Sequence, residues 1–285
     1  MTKNVRNILI TGSGGFVGGN LKKYFKDKYN LLTPRSFELD CVDKNAVKEY
    51  FEQNKIDFVI HCGTVGGARG VQDKDTTIED NLKMVENILS SKQDDTKIIL
   101  FGSGAMYGKS RPLHKVKEST IGDFEPLDLY GKSKMIIAEK IKNRKDVLCL
   151  NIFACYGYNE KSSRFPTYAL TQNLKHEKIE INQNVIFDYL FIEDLCRIVE
   201  YFLENEPKFE NIINVTPTKS VSLLEIAKIV NEISDFKSEI TIKAETMGNE
   251  YTGDNSRLLE EIPDFKFTDM KSGLKALYQY ISTQK

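Results

Sequence analysis

A tyrosine and a lysine four residues apart form the first pair in the chain that could carry out acid–base chemistry. Tyr130 and Lys134 make a YxxxK motif at the start of a segment with helical spacing. Residues four apart share one face of a helix, so the ammonium group can lie close to the phenol. A free tyrosine has a pKa of about 10, and a fixed cation lowers it by favouring the phenolate. The pair is therefore a candidate proton donor, and the alternative is an ordinary solvated helix face.

A glycine-rich turn follows the first predicted strand. The strand ends at Thr11, glycines follow at positions 12, 15 and 18, and a helix begins near position 16. Gly12 permits a tight turn, Gly15 lets the backbone approach a diphosphate, and Gly18 allows close packing of helix on sheet. Free N–H groups at the helix N-terminus attract the anion. The motif predicts a dinucleotide site at Gly12, Ser13, Gly15, Phe16, Val17 and Gly18.

Three motifs together resemble the extended short-chain dehydrogenase/reductase family, which includes nucleotide-sugar epimerases, dehydratases and reductases. They are TGxxGxxG from Thr11, the stretch GSGAMYG at 102–108, and the YxxxK pair. The resemblance covers nearly the whole chain. It implies that Ser103 is a catalytic hydroxyl that polarises the substrate oxygen, that Tyr130 donates a proton, and that Lys134 also binds the nicotinamide ribose. The loop at 65–67 and the stretch at 38–43 are similar to those of GDP-fucose synthases, reductases of this family.

The residues after the second predicted strand bear on which dinucleotide binds. NAD sites usually carry an acidic residue there, whereas this chain has Arg35 and Ser36 and no acid until Glu38. A guanidinium group suits phosphate oxygens, so the segment favours NADP as the cofactor. The alternative is that Arg35 is a solvated loop residue and that the cofactor is NAD. The resemblance implies further cofactor contacts at Asp40, Cys41, Cys62, Gly63, Thr64, Asn81 and Phe153.

The resemblance also implies a substrate site, formed by Val65, Ser103, Gly104, Ala105, Ala154 and Arg164. Asn151 and Ala154 stand where family members often have arginine and asparagine, and Phe187 replaces another arginine. Arg164 is a candidate for the missing positive charge beside a diphosphate, or else a surface residue. Gly104 and Ala105 replace the acid pair of dehydratases, and the cysteine and histidine used for double epimerisation have no counterpart.

Hydrophobic patterning indicates the scaffold that must position these residues. Short apolar strands alternate with helical segments through the first 150 residues, which predicts an α/β fold with a doubly wound parallel Rossmann sheet. The predicted strands are Asn7–Thr11, Asn30–Leu32, Phe58–Cys62, Ile98–Gly102, Val147–Ile152, Val185–Phe191, Ile212–Val215 and Glu239–Ile242. The predicted helices are Val17–Asp27, Lys44–Asn54, Thr77–Ser90, Tyr130–Lys142, Phe165–Leu174, Asp194–Leu203, Leu223–Ser234 and Met270–Ser282.

The same patterning predicts two structural units. Residues 1–156 with about 184–204 form the dinucleotide-binding domain, and about 157–183 with 205–285 form a smaller, interleaved substrate-binding cap.

Composition excludes several classes of function. The 285 residues carry 40 basic and 41 acidic side chains, a balance that argues against a nucleic-acid partner. No apolar run approaches the roughly 20 residues of a membrane span, and the N-terminus does not resemble a signal peptide. The five cysteines are scattered without a CxxC pair, which indicates reduced thiols in the cytoplasm and no metal site.

These observations predict an NADP-preferring reductase of a nucleotide-activated sugar, most specifically a 4-keto-6-deoxyhexose. One alternative is a nucleotide-sugar 4-epimerase that retains NAD, and another is a non-catalytic NADP-binding sensor. The resemblance to the family also implies a homodimer.

Overall fold

The computed structural model describes residues 5–68, 70–208 and 210–284. Its strands are β1 (Asn7–Thr11), β2 (Asn30–Leu32), β3 (Phe58–His61), β4 (Lys97–Ser103), β5 (Leu113–Val116), β6 (Val147–Ile152), β7 (Ala154–Tyr156), β8 (Ile179–Ile181), β9 (Ile186–Phe187), β10 (Tyr189–Phe191), β11 (Ile212–Val215), β12 (Val221–Ser222), β13 (Ile240–Ile242) and β14 (Tyr251–Gly253). Its helices are α1 (Phe16–Phe25), α2 (Lys44–Gln53), α3 (Thr77–Ser91), α4 (Leu129–Ile141), α5 (Phe165–Leu174), α6 (Ile192–Glu204), α7 (Leu223–Ile233), α8 (Ser256–Glu261) and α9 (Met270–Thr283).

A six-stranded parallel sheet with the order β11-β6-β4-β3-β1-β2 forms the centre of the molecule. The prediction of a doubly wound α/β sheet is therefore confirmed. Strand β2 lies on one side of β1 and β3 on the other, so the strand order reverses between β1 and β3. Open α/β sheets bind ligands beyond the carboxyl ends of their strands at such a reversal. Thr11, which pairs with His61, marks that edge.

Alternating side chains of the strands fill two separate cores, one on each face of the sheet. Ile8 and Ile10 of β1 point into the core that contains α1 and α6, whereas Leu9 points into the core that contains α2, α3 and α4. Successive strand residues face opposite sides, and both sides are covered by helices, so the strands are apolar throughout. This packing explains why their boundaries were predicted within one residue or two.

The predicted strand Val185–Phe191 is two strands. Strand β9 pairs with β12 and β14, whereas β10 pairs with β7, so the chain changes sheet at Asp188. The Asp188 carboxylate is fully buried there and forms an ion pair with Lys115 at 3.1 Å. It also accepts hydrogen bonds from Ser220 Oγ at 2.6 Å and from the backbone N–H of Gly253 at 2.9 Å. A single continuous strand was therefore the wrong prediction.

Strands β5 and β14 were not predicted, and their pairing brings residues 251–253 of the second half of the chain close to the segment that follows β4. Strand β14 lies between β5 and β9 in a four-stranded sheet with the order β12-β9-β14-β5. These strands have two to four residues, which is too short for a clear alternating pattern. The division into two domains stays a prediction. Within the described ranges, no helix has the length and apolar character needed to cross a membrane.

Candidate active site

The glycine turn closes against the loop that follows β3. Gly12 has a φ of +66°, and a Cβ on it would lie 2.7 Å from the peptide between Cys62 and Gly63. The N–H of Gly15 donates to the carbonyl of Gly12 at 2.9 Å. A Cβ on Gly18 would overlap the same carbonyl. A close backbone approach therefore requires glycine at positions 12 and 18.

The first turn of α1 presents backbone N–H groups beyond this glycine turn. Gly15 is its N-cap, and no side chain of the described residues caps it. Gly12 and Gly15 are exposed, Phe16 and Val17 are half-buried, and Ser13 is buried with its hydroxyl donating to the carbonyl of Thr33. Uncapped N–H groups and the helix dipole suit an anion, so the turn fits the diphosphate of a dinucleotide.

Arg35 lies over the glycine turn. A Cβ on Gly14 would overlap the Arg35 guanidinium group, so the two residues are in close contact. The N–H of Arg35 donates to the Glu38 carboxylate at 2.7 Å, which fixes the backbone after β2. The exposed Ser36 is next to it. The Arg35 side chain therefore stands against Gly14, which the sequence did not single out, and its role in binding NADP stays a prediction.

The stretch predicted to contact adenine is only partly accessible. Asp40 is exposed, but the Cys41 side chain is buried in the core beneath the sheet, and its carbonyl accepts from Asn87. Burial raises the pKa of the Cys41 thiol to about 12. Cys41 continues the apolar pattern of Leu39, and the cofactor contact that the resemblance implies for Asp40 and Cys41 stays a prediction.

Asn81 braces the loop after β3. Its side chain accepts from Val65 N–H at 2.8 Å, donates to the Val65 carbonyl at 2.9 Å, and donates to Ser133 Oγ of α4 at 2.9 Å. The hydroxyl of Thr64 also donates to it, at 3.3 Å. Asn81 is 3% exposed. It therefore ties the loop to α4 from within rather than presenting a surface to a cofactor.

Ser103, Tyr130 and Lys134 converge at the carboxyl edge of the sheet. Ser103 ends β4, and Asp128 caps α4 by accepting from the N–H of Gly131 at 2.9 Å. Lys134 Nζ donates to the carbonyl of Phe101 at 2.9 Å and lies 5.6 Å from the centre of the Tyr130 ring. The three groups come from two separate elements, and the fold brings them together as the motifs predicted.

Lys134 is the local positive charge at this edge. His61 lies in the core nearby, and burial together with the Lys134 charge lowers the pKa of its imidazole to about 3. Neutral His61 shares a hydrogen bond with Thr11 Oγ at 2.6 Å. Lys134 is itself 8% exposed and is the cation beside the Tyr130 phenol.

A cleft of about 790 Å³ opens above Tyr130 and Ser103. Of the predicted substrate residues, Ser103, Ala105, Ala154 and Arg164 line it, as does Phe153. Gly104 does not face the cleft, because it is buried beneath the rings of Phe153 and Tyr251. Val65 does not line it either, because its side chain packs against the core that contains α3 and α4. The substrate contacts that the resemblance implies for these two residues stay predictions.

Sequence reasoning missed Tyr251, which β14 carries into the site. It lines the cleft together with Ser103, and a Cβ on Gly104 would lie 2.6 Å from its hydroxyl oxygen. Its ring contacts those of Phe153 and Phe187, with centres 5.4 Å and 5.9 Å apart. A lone tyrosine about 150 residues after Ser103 gives no local signal; only the β5–β14 pairing reveals it.

Glu160 is a second missed residue, on the opposite wall of the cleft. Burial raises the pKa of its carboxyl group to about 8, while a hydrogen bond from Thr167 Oγ and the charge of Arg164 act in the other direction. That hydrogen bond is 2.8 Å long. A carboxylic acid and an arginine therefore stand together at the substrate side of the cleft.

Comparisons with known proteins agree with this geometry. The model of the family described as "NAD dependent epimerase/dehydratase family" matches residues 8–216. The chain is 25% identical to the GDP-L-colitose synthase of Yersinia pseudotuberculosis over 303 residues, covering 98% of both chains. It is 22% identical to the GDP-L-fucose synthase of Dictyostelium discoideum, covering 98% of this chain and 96% of that one. The solved structure of the GDP-mannoheptose C4 reductase of Campylobacter jejuni with NADP bound matches with a TM-score of 0.84 at 21% identity. The match covers 99% of this chain and 100% of that one.

Proposed function

The chain belongs to the NAD-dependent epimerase/dehydratase family, and we propose that it is an NADPH-dependent reductase of a nucleotide-activated keto sugar, most specifically a 4-keto-6-deoxyhexose. The observation that carries the proposal is that Ser103 and Tyr130 line one cleft, while Lys134 Nζ lies 5.6 Å from the centre of the Tyr130 ring and is held by the Phe101 carbonyl. The printed names of the relatives support the substrate class, since they are synthases and a reductase of GDP-linked sugars.

In this proposal, each of the three residues has a separate task. NADPH supplies the hydride that reduces the ketone carbon. Tyr130 gives its phenolic proton to the ketone oxygen, so that the C=O bond becomes an alcohol and the phenolate is later reprotonated from water. Lys134 favours that phenolate. One of its three N–H groups is taken by the Phe101 carbonyl, which leaves two for the nicotinamide ribose.

Ser103 stabilises the charge that develops on the same oxygen. It lies at the end of β4, next to the backbone N–H of Ala105, which donates to it at 3.2 Å. A hydroxyl fixed by the fold acts on a developing oxyanion without having to reorient during the reaction. Cofactor choice follows from Arg35, whose guanidinium group over Gly14 suits the additional phosphate of NADP.

Reduction is favoured over the other reactions of the family by what stands beside Ser103. A dehydratase needs an acid pair there, and this chain has Gly104 and Ala105. Retained NAD with 4-epimerisation is the alternative within the same fold. It differs in stoichiometry, because an epimerase consumes no cofactor overall.

A single assay tests the proposal. Purified protein is incubated with NADPH and a panel of 4-keto-6-deoxyhexoses linked to GDP, dTDP, UDP or CDP, and NADPH oxidation is compared with product formed. We expect one NADPH consumed per product and deuterium transferred from labelled NADPH to carbon 4 of the sugar. The alternative 4-epimerase would leave these ketones unreduced and would instead interconvert the C4 epimers of nucleotide hexoses that carry a C4 alcohol, without net loss of cofactor. A Tyr130→Phe variant that still binds NADPH serves as the inactive control.

The proposal includes the expectation of a homodimer. Size-exclusion chromatography with light scattering tests it, since a monomer would elute with a mass of 32.6 kDa.

A further inference from the structure

We propose that Asp188 is a positioning residue for substrate binding, because it holds in place an aromatic wall that receives the sugar ring of the substrate. The aromatic wall consists of Phe187, Tyr189 and Tyr251, which line the cleft. The inference rests on the proposed function and deepens it, since it assigns one part of the substrate to one part of the cleft.

Asp188 lies behind the aromatic wall. Its chain neighbours Phe187 and Tyr189 line the cleft, whereas Asp188 is fully buried and does not line it. Successive residues of an extended chain point to opposite sides, so the Asp188 carboxylate points away from the cleft that the two rings face. The chain also changes sheet here, from the pairing of β9 with β14 to the pairing of β10 with β7. The side chain is therefore placed to fix both rings.

Donors from three separate parts of the chain hold the Asp188 carboxylate. Lys115 Nζ donates to its two oxygens at 3.1 Å and 3.2 Å, Ser220 Oγ donates at 2.6 Å, and the N–H of Gly253 donates at 2.9 Å. A buried carboxylate depends on such partners because it has lost its contact with water. Gly253 follows Tyr251 by two residues on β14, so the third ring of the wall is tied to the same anchor.

The rings of the aromatic wall form one surface next to the catalytic serine. The Phe187 ring centre lies 5.4 Å from that of Tyr189 and 5.9 Å from that of Tyr251. A Cβ on Gly104, the residue after the serine, would lie 2.6 Å from the Phe153 ring and from the Tyr251 hydroxyl oxygen. The wall therefore adjoins the end of the cleft where the ketone must lie. The sugar is the part of the substrate that carries the ketone.

The chemistry of the aromatic wall also favours the sugar over the diphosphate. Aromatic rings offer apolar area and no positive charge, and Phe187 stands where family members often have an arginine. The C–H groups of a sugar ring and the methyl group of a 6-deoxysugar are apolar, whereas a diphosphate needs a cation such as Arg164, which lines the cleft separately. Of the described residues that line the cleft, none belongs to the glycine turn. Changes in the wall should therefore leave NADPH binding unaltered.

Steady-state kinetics of Asp188→Asn test the inference, because asparagine keeps the size of the side chain but loses its charge. With the keto sugar nucleotide that the wild-type protein reduces, we expect KM to rise about tenfold, the effect of a small change in an apolar pocket. The fall in kcat should be smaller, and KM for NADPH should stay within about twofold. Phe187→Ala should act in the same direction. An unchanged KM in Asp188→Asn would overturn the inference.

The corresponding nucleoside diphosphate, which lacks the sugar, shows which part of the substrate the wall holds. Its inhibition constant should stay within about twofold in Asp188→Asn, because the sugar contacts alone are lost. A rise equal to that of KM would overturn the inference, since the wall would then hold the nucleotide. If Asp188→Asn does not fold, Ser220→Ala takes its place. It removes one donor and should raise KM about threefold, and an unchanged KM in Ser220→Ala would then overturn the inference.

Asp194→Asn is the matched control for a loss of stability. Asp194 is also buried, forms an ion pair with Arg197 and accepts from the N–H and the hydroxyl of Thr268, but it does not line the cleft. We expect it to lower the Tm, as Asp188→Asn does, and to leave KM for the sugar nucleotide unchanged. An equal rise of KM in both variants would overturn the inference, because reduced stability alone would explain it.

Hydrogen exchange without ligand separates this inference from the proposed function. If the wild-type protein reduces none of the keto sugars, the reductase proposal fails, and the anchor is still tested by backbone exchange in Asp188→Asn. We expect faster exchange at 186–190 and 251–253, with β1 and β6 unchanged, because local opening follows the loss of local contacts. Unchanged exchange in those two segments would overturn the role of Asp188 as an anchor.

Discussion

The carboxylate of Asp73 accepts a hydrogen bond of 2.8 Å from the backbone N–H of Tyr130. Its other oxygen accepts from the N–H of Gly67, also at 2.8 Å. The backbone of Gly67 packs against the Tyr130 ring, since a Cβ on Gly67 would lie 2.9 Å from that ring. The Asp73 side chain therefore joins the loop after β3 to the first turn of α4, and it fixes the segment that packs against the Tyr130 phenol.

Replacing Asp73 should impair catalysis without removing any reacting group. Asp73→Ala loses both hydrogen bonds, and a net hydrogen bond to a charged acceptor contributes about 1.5–3 kcal/mol. We expect kcat to fall about tenfold or more, because small misplacements of a proton donor are costly. Limited proteolysis should cut the 66–73 loop faster. Steady-state kinetics and digestion rates provide the measurements.

Asp73→Asn is the graded comparison for that prediction. Its amide keeps one acceptor oxygen, so one of the two hydrogen bonds survives and the loss should be intermediate. Asp94→Asn, an exposed substitution away from the cleft, controls for the change of charge. Wild-type kcat in Asp73→Ala would show that Tyr130 is positioned by α4 alone.

Cofactor preference should depend on Arg35. Truncation to Ala removes the guanidinium group over Gly14 but leaves the glycine turn intact. We expect KM for NADPH to rise about tenfold or more while KM for NADH changes little, since a charge-assisted contact to the extra phosphate is lost. Lys22→Ala, on the exposed face of α1, is the matched control. Equal losses for both cofactors would mean that Arg35 does not distinguish them.

The central sheet was predictable because its strands are buried on both faces. Runs such as Asn7–Thr11 and Val147–Ile152 need apolar side chains at nearly every position, and the observed bounds match the predicted ones. The short strands of the second half have no such requirement. Strand β14 has three residues and exists because β5 and β9 supply partners, so its pairing depends on contacts more than 60 residues away in the chain.

The same distinction applies to the site. Tyr130 and Lys134 are four apart on α4, so their spacing determines their proximity, and Ser103 was identified by the motif at the end of β4. Tyr251 and Glu160 reach the cleft through tertiary packing, and a single sequence carries no signal for that. Gly104 adjoins Ser103 in sequence, but its sequence gives no sign that the rings of Phe153 and Tyr251 cover it.

The buried imidazole of His61 should make the protein less stable in acid. Its pKa is lowered to about 3 by burial and by Lys134. Below pH 6.5, His61 therefore binds a proton in the unfolded chain but stays neutral in the folded chain. The free energy of unfolding should fall as the pH drops from about 6.5 towards 3. Nuclear magnetic resonance should find the His61 ring signals unchanged from pH 8 to 5; a transition near pH 6.5 would contradict this prediction.

Binding of an anionic sugar nucleotide should weaken as Glu160 ionises. Burial raises the pKa of Glu160 to about 8, so the group is neutral below that pH and leaves the charge of Arg164 uncompensated. Above it, a carboxylate stands beside the arginine and repels a diphosphate. We therefore expect KM for the sugar nucleotide to rise above pH 8, and KM measured across pH 6.5–9 provides the test.

Glu160→Gln should remove that dependence, because an amide of the same size stays neutral, whereas Glu177→Gln on the exposed loop after α5 should preserve it.

The free energy of unfolding provides an independent test of the Glu160 pKa. The folded pKa of Glu160 lies above its ordinary value, so its stabilising contribution is complete at low pH and is lost as the pH rises through about 8. The contribution of His61 to stability has the opposite pH dependence, and it changes only below about pH 6.5. In the wild-type protein, the free energy of unfolding should decline between pH 6.5 and 8, and Glu160→Gln should abolish that decline. The same decline in both proteins would contradict the prediction that Glu160 is buried as a neutral acid.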